Sequence, residues 1–207
     1  YTEKVRKEKY DLNEEELKPY FSLPHVREGV FTVSNKLYGL TFTELHDMPV
    51  YHPEAEVWEV KDAAGHHVGI LYMDYYARPS KRGGAWCTSF QEQYKKLDGT
   101  KVFPIVSVVC NFSRPTGEAP ALLTYDEAET LFHEFGHVLH SLLGDYTYRG
   151  VSSVPRDFVE LPSQIMENWC GEPEVLRMYA KHYKTNEVIP NELIEKITNA
   201  SKFNQGF

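Results

Sequence analysis

Paired cysteines are missing from this sequence. Cys87, Cys110 and Cys170 are odd in number and widely spaced, and none has a second cysteine two to four residues away. A disulfide framework and a cysteine-built metal site are both disfavoured on that count. Long apolar runs are missing too: the longest, such as Ile70 to Tyr72 or Val108 to Cys110, fall far short of a bilayer's thickness. The segment from Tyr1 to Lys4 is polar and lacks the apolar stretch of a secretory signal. Basic clustering is also lacking, since the formal net charge is -8 with acidic residues spread along the chain. Nothing forms the basic stripe that phosphate binding needs, so nucleic acid is not an expected partner. No internal repeat or low-complexity segment stands out. A soluble, cytoplasmic protein without a membrane span is the expectation.

What is present suffices for a core. At 207 residues and 42% hydrophobic content, the chain falls in the one-domain range. The opening is helical in character, from Thr2 to Lys9, with Asn13 and Glu16 in a capping-box arrangement after it. Val26, Val30, Val33 and Leu37 recur at three- and four-residue spacings, predicting a helix over 25–38 that ends before Gly39. From Glu56 the period changes to two. Val57 to Lys61, a turn around Gly65 carrying His66 and His67, and Val68 to Tyr76 read as a β-hairpin. Arg78 to Gly84 is a basic, glycine-containing loop before a short extended piece, and the β-branched window from Phe103 to Phe112 reads as another strand.

Helices dominate thereafter. Thr124 and Glu127 cap one that runs through Leu143 and stops at Gly144. Others are predicted from Asp157 to Cys170, from Pro173 to Lys184, and from Pro190 to Ser201. The fold class is α+β: a small, mainly antiparallel sheet packed against helices.

Residues 133 to 137 read HEFGH, inside the helix inferred independently from its caps and apolar period. Positions four apart on a helix lie one turn apart on nearly the same face, so the imidazoles of His133 and His137 can reach one metal ion. Glu134 projects to the flank, where its carboxylate can touch a water held by the metal without binding the metal itself. A third ligand must come from elsewhere, because Leu143 stands where a longer version of the motif would place a third histidine. Two histidines and one glutamate around zinc, with an open fourth position, is the common alternative. Asp145, Asp157, Glu160 and Glu167 are the candidates. Asp145 is too near the end of the first helix to fold back, and Asp157 reads as the N-cap of the next. Glu160 falls one turn into that helix, with Leu161 and Ile165 marking a buried neighbourhood, so it can face the two histidines across an antiparallel helix pair. Glu167, seven residues on and on the same face, suits a partner that holds a ligand imidazole by its other nitrogen, though it also competes for the ligand role.

The runs LFHEFGHVLH (Leu131 to His140) and RDFVELPSQIMENW (Arg156 to Trp169) resemble the active-site core of the thimet oligopeptidase family, which includes oligopeptidase A and the bacterial peptidyl-dipeptidases. The likeness extends through KRGGAW (Lys81 to Trp86), VCNFSRP (Val109 to Pro115) and NASKFNQGF (Asn199 to Phe207). EGVF (Glu28 to Phe31), DFVE and NASKFNQGF are nearer to the peptidyl-dipeptidases. The resemblance implies one zinc ion per chain on His133, His137 and Glu160, with Glu134 as general base. It also implies a longer parent chain: family members are roughly three times this length. An earlier helical segment forms the other wall of their substrate channel, and a later glycine-rich loop with His and Tyr side chains contacts substrate.

Residues 1–207 are therefore expected to be a single catalytic domain cut from a zinc metallopeptidase of short oligopeptides. Gly84 and Ala85 are the candidate sheet edge that grips substrate by strand addition. A metal- or peptide-binding module without turnover, and a zinc aminopeptidase, are the alternatives. His140, His182, Tyr72, Tyr75 and Tyr76 read as packing residues, and the cysteines as buried or inert.

Overall fold

The two-residue period from Glu56 onward does fold as a hairpin. In the computed structural model, which describes residues 13–200, β2 (Glu56–Lys61) pairs antiparallel with β3 (His67–Tyr76), from Glu56 opposite Met73 to Lys61 opposite His67. Gly65 takes φ +82° in the turn, a conformation that side-chain-bearing residues rarely adopt. His66 is exposed there, whereas His67, expected in the turn, already belongs to β3, with its Nδ1 3.0 Å from Glu59.

A short strand, β1 (Thr41–Glu44), extends the sheet beyond β2. On the other side, β7 (Ile105–Phe112) runs parallel to β3, and β4 (Trp86–Gln91) runs antiparallel to β7. The order is β1-β2-β3-β7-β4, so β4 is an edge strand. A separate two-stranded ribbon, β5 (Tyr94–Lys95) and β6 (Lys101–Val102), lies between β4 and β7 in sequence.

Strand alternation divides the sheet into two faces. Leu71, Met73 and Tyr75 on β3, with Val106, Val108 and Cys110 on β7, join the hydrophobic core with the helices. Tyr72, Asp74, Ser107 and Val109 point the other way, into an open groove of about 1100 Å³ that also reaches Trp86 and Phe90.

Six helices complete the described fold. Asn13 caps α1 (Glu14–Leu17) by accepting from the Glu15 N–H at 3.2 Å, and its amide donates to Glu16. The helical expectation for Thr2 to Lys9 lies outside the described residues. In α2 (Leu23–Tyr38), which ends at left-handed Gly39, Val26, Val30, Phe31 and Val33 are buried where the helix meets α3 and α5. Arg27 anchors α2 to the sheet through both oxygens of Glu56, at 2.8 and 2.7 Å.

The long α3 (Tyr125–Leu143) lies across β7, β4 and β3. It opens with a full capping box: Glu127 N–H donates to Thr124 Oγ1 at 3.1 Å, and Thr124 N–H donates to the Glu127 carboxylate at 2.9 Å. Leu131, Phe132, Phe135 and Val138 are wholly buried, each worth about 1.5–3 kcal/mol of hydrophobic stabilisation. Gly144 ends the helix at φ −59°, not left-handed; a Cβ there would come within 2.5 Å of the Tyr146 ring.

Two boundaries depart from the sequence reading. Helix α4 spans Leu161–Gly171 rather than starting at Asp157. Phe158 and Val159 both donate to the Pro155 carbonyl in a tight turn, and Pro162, having no N–H to satisfy, fits the first helical turn. Helix α5 (Pro173–Tyr179) stops short of Lys184, because the chain returns on itself in a bridge between Lys181 and Val188, with Asn186 at φ 60°. Helix α6 covers Asn191–Ala200. None of the described helices is long and apolar enough to cross a membrane.

Candidate metal centre

His133 and His137 sit one turn apart on α3, with ring centroids 5.1 Å apart and planes at 81°. The turn before α4 brings Glu160 to them: its Oε2 lies 3.3 Å from His133 Nε2 and 3.2 Å from His137 Nε2. An ion with tetrahedral bonds of about 2.0–2.1 Å needs donors about 3.3 Å apart; both Glu160–histidine spacings match this, and all three donor atoms lie within 4.8 Å of one another. Among the described residues these three side chains form the one group of at least three potential donors close enough to share an ion.

Glu160 is the N-cap of α4, not a residue one turn inside it. The change matters for its charge. Ser163, three residues on, donates its hydroxyl to Glu160 Oε2 at 2.9 Å and to the Glu160 carbonyl at 2.9 Å. That hydrogen bond, with the neighbouring His137 and His133, holds the Glu160 carboxyl below its usual range and therefore ionised. Leu161 and Ile165, expected to be buried beside it, are instead 49% and 48% exposed. Ser163, Met166 and Cys170 take the inward face of α4, which turns the two aliphatic residues outward.

Glu167, one helical turn beyond Ser163, lies against His133 Nδ1. A proton on Nδ1 donated to Glu167 leaves the Nε2 lone pair directed at Glu160 and at any shared ion. The pairings His133 with Glu167 and His137 with Glu160 run in opposite directions along the two helices, so α3 and α4 cross antiparallel as expected.

Glu134 is 6% exposed, and its Oε2 is buried without a hydrogen-bond partner. Burial pushes its carboxyl pKa up, the charge of His133 opposes this, and Glu160 adds to it. Burial is also the main reason the His137 pKa falls, which favours the neutral imidazole that metal ligation needs. Glu134 faces the sheet near the edge strand: its carboxylate adds to the burial that pushes the thiols of Cys87 on β4, to about 12, and of Cys110 on β7 upward. Such thiols are inert. Cys170 is buried and likewise raised to about 12.

The remaining candidates fall as follows. Asp145 lies 3.7 Å from Lys95 and Lys101, not at the site. Asp157 is exposed in the turn and caps no helix. His140 is half-buried beyond His137 and outside the donor group. His182 accepts from the backbone of Lys184 and Thr185 and stacks on Tyr183. Tyr75 is fully buried with its hydroxyl on Glu56, and Tyr72 donates to the Pro49 carbonyl. Gly84 and Ala85 lead directly into edge strand β4.

Sequence reasoning missed Gly136 and Ser163. A Cβ on Gly136 would come within 2.4 Å of the Pro162 carbonyl oxygen and 2.5 Å of Ser163 Cα, so the absent side chain sets how closely α3 and α4 approach. A glycine inside a well-capped helix was the available signal.

These features match known proteins along the whole chain. The family model described as "Peptidase family M3" covers residues 1–207. The chain is 48% identical to the dipeptidyl carboxypeptidase of Escherichia coli (strain K12), over 100% of its own length and 30% of that protein. It is 45% identical to oligopeptidase A of Salmonella typhimurium, over 98% of its length and 30% of that protein. It is 41% identical to an organellar oligopeptidase A of Arabidopsis thaliana, over 100% of its length and 27% of that protein. The chain thus spans under a third of the length of each of these relatives. The resemblance read from the HEFGH and RDFVELPSQIMENW segments holds from end to end, and the chain belongs to peptidase family M3.

Proposed function

We propose that this chain carries the catalytic centre of a zinc-dependent peptidase acting on short peptides, with residues 1–207 behaving as one catalytic unit. The observation that carries the reading is the convergence of the His133, His137 and Glu160 donors within 4.8 Å of one another, with Glu160 Oε2 at 3.3 and 3.2 Å from the two histidine nitrogens, close to the donor spacing of a tetrahedral ion. His133, His137 and Glu160 hold one zinc ion, which when bound supplies a Lewis acid and lowers the pKa of water at its open position to about 7.

Glu134 accepts the proton of the attacking water at its carboxylate and delivers it to the departing amine. A raised carboxyl pKa brings its protonated form nearer in energy, as proton shuttling needs, and a positioned base of this kind contributes on the order of 10²- to 10⁴-fold. Glu167 fixes the His133 ring and its tautomer. Peptide binds as an added strand along β4, entering at Gly84 and Ala85. A Cβ on Gly83 or Gly84 would meet nothing within 4 Å, so there is room above these residues for another backbone.

The relatives' names support both dipeptide release from the C-terminus and oligopeptide cleavage, and the motifs near Glu28 and Asp157 favour the former. A cytoplasmic setting agrees with three cysteines that are all free. A second reading, metal binding without turnover by this segment alone, is favoured by its covering 30% of its relatives and by the exposure of Leu161 and Ile165. Glu134→Gln in the full-length protein separates the roles: zinc content stays at the wild-type level while peptide hydrolysis drops by at least about 100-fold. Undiminished turnover would remove Glu134 as base.

A further inference from the structure

The loop that delivers the chain to edge strand β4 is held at an unusual point. Strand β7 carries one extra residue relative to β3: Asp74 is opposite Val109 and Tyr76 is opposite Phe112, so Cys110 and Asn111 together face Tyr75. Bulges re-aim side chains and recur beside active sites. Here the Asn111 amide NH₂ donates to two carbonyls of the incoming loop, Arg82 at 2.6 Å and Gly84 at 2.7 Å. Extending the β4–β7 register back from Trp86 opposite Val109 sets Gly84 level with Asn111. The side chain takes over where the backbone ladder ends.

The start of the loop is pinned as well. Lys81 is almost fully buried; its ammonium reaches the Asp74 carboxylate at 2.8 Å and the carbonyls of Tyr76 and Cys110 at 2.7 and 2.8 Å. Arg78 closes on the same Asp74 through two hydrogen bonds at 2.7 and 2.6 Å. Between Lys81 and Trp86, with Gly84 at φ +87°, the side-chain hydrogen bonds on the loop's backbone are those from Asn111.

We propose that Asn111 is a positioning residue for peptide binding. By clamping the Arg82 and Gly84 carbonyls it fixes the height and register at which Gly84, Ala85 and β4 offer their free edge to a substrate backbone, next to Glu134. The proposal rests on the peptidase reading above. It assigns Asn111 no contact with zinc or the scissile bond, so its loss acts on peptide affinity rather than on the chemical step.

The test uses the full-length, zinc-loaded protein with Asn111→Asp, which keeps the shape but removes both donors, and Asn111→Ala. An internally quenched peptide reports kcat and KM, and acetohydroxamate, a compact zinc chelator that does not need the edge strand, reports the metal centre. In both variants KM rises about tenfold, as for one or two lost net hydrogen bonds, with kcat within about threefold and zinc content and acetohydroxamate inhibition unchanged. A KM within twofold of wild type overturns the clamp, and so does a matching loss of acetohydroxamate affinity, which would mark general damage to the site. If the wild-type protein binds zinc and cleaves no peptide, the underlying peptidase reading fails. If the wild type cleaves and the variants match it, only the clamp fails.

Discussion

Replacing Gly136 with alanine inserts a methyl group where α3 and α4 touch. The new Cβ would start 2.4 Å from the Pro162 oxygen, 2.5 Å from Ser163 Cα and 2.7 Å from the Pro162 carbonyl carbon. All three are backbone atoms, so no side chain can swing aside. Ordinary contacts lie at about 3.5–4.0 Å, which means the helices must separate by about 1 Å. Overpacking of this kind costs about 1–3 kcal/mol, and alanine's better helix propensity returns about 1 kcal/mol. The net loss of about 0–2 kcal/mol corresponds to a Tm drop of at most about 8 °C for a domain of this size.

The metal centre suffers more than the fold. Glu160 and Glu167 ride on the α4 side and the two histidines on α3, so the 3.2–3.3 Å donor spacing opens by a similar distance. Metal sites tolerate about 0.2 Å, and zinc affinity should fall by at least about 100-fold. Chelator competition measures that affinity, and thermal melts of the metal-free protein measure the fold separately. Zinc affinity within about threefold of wild type in Gly136→Ala would refute the idea that this contact sets the site's geometry.

Two other perturbations test neighbouring parts of the account. Glu167→Ala removes the acceptor that holds His133 Nδ1–H, so zinc affinity should drop about 10- to 100-fold with little change in Tm of the metal-free protein; unchanged affinity would leave Glu167 without a role at the metal. Asp74 is buried, and although burial alone would raise its pKa, Arg78 and Lys81 hold it below the usual carboxylate value. Its folded pKa is depressed, so its stabilisation is present above the unfolded pKa of about 3.9 and disappears as pH falls through the lower folded value. Asp74→Asn should therefore cost about 3–5 kcal/mol in urea melts at pH 7, with the gap from wild type narrowing below pH 4. An equal gap at both pH values would contradict the pairing.

How much of this was legible before folding depends on how local each signal is. The metal-binding turn of α3 could be read because His133, Glu134 and His137 share one helix and its cap, Thr124 with Glu127, lies in the same stretch. Gly39 and the alternation around Gly65 were legible for the same reason. Glu160 was found as a ligand candidate but placed wrongly. Its position before α4 comes from Pro155 and Pro162, which were passed over as helix boundaries. The four-residue β1 and the Lys181–Val188 bridge carry too few residues for a period to register, and they depend on partners distant in sequence. Asn111 could not be read from local pattern, and Gly136 offered only the signal of a glycine inside a capped helix, since the meaning of each lies in the backbone of another segment. Leu161 and Ile165 were read as buried because they are apolar and helical. Both lie half exposed in a chain that covers under a third of its relatives' length.

The central claim is that His133, His137 and Glu160 hold one zinc ion, and zinc content of the purified chain tests it most directly, by elemental analysis of wild type, His133→Ala and Glu160→Ala after zinc loading and gel filtration. The account predicts one zinc per wild-type chain and loss of that zinc in both variants while each keeps its folded circular-dichroism spectrum. A folded wild-type chain that retains no zinc, or a Glu160→Ala chain that retains it at full occupancy, would contradict the assignment.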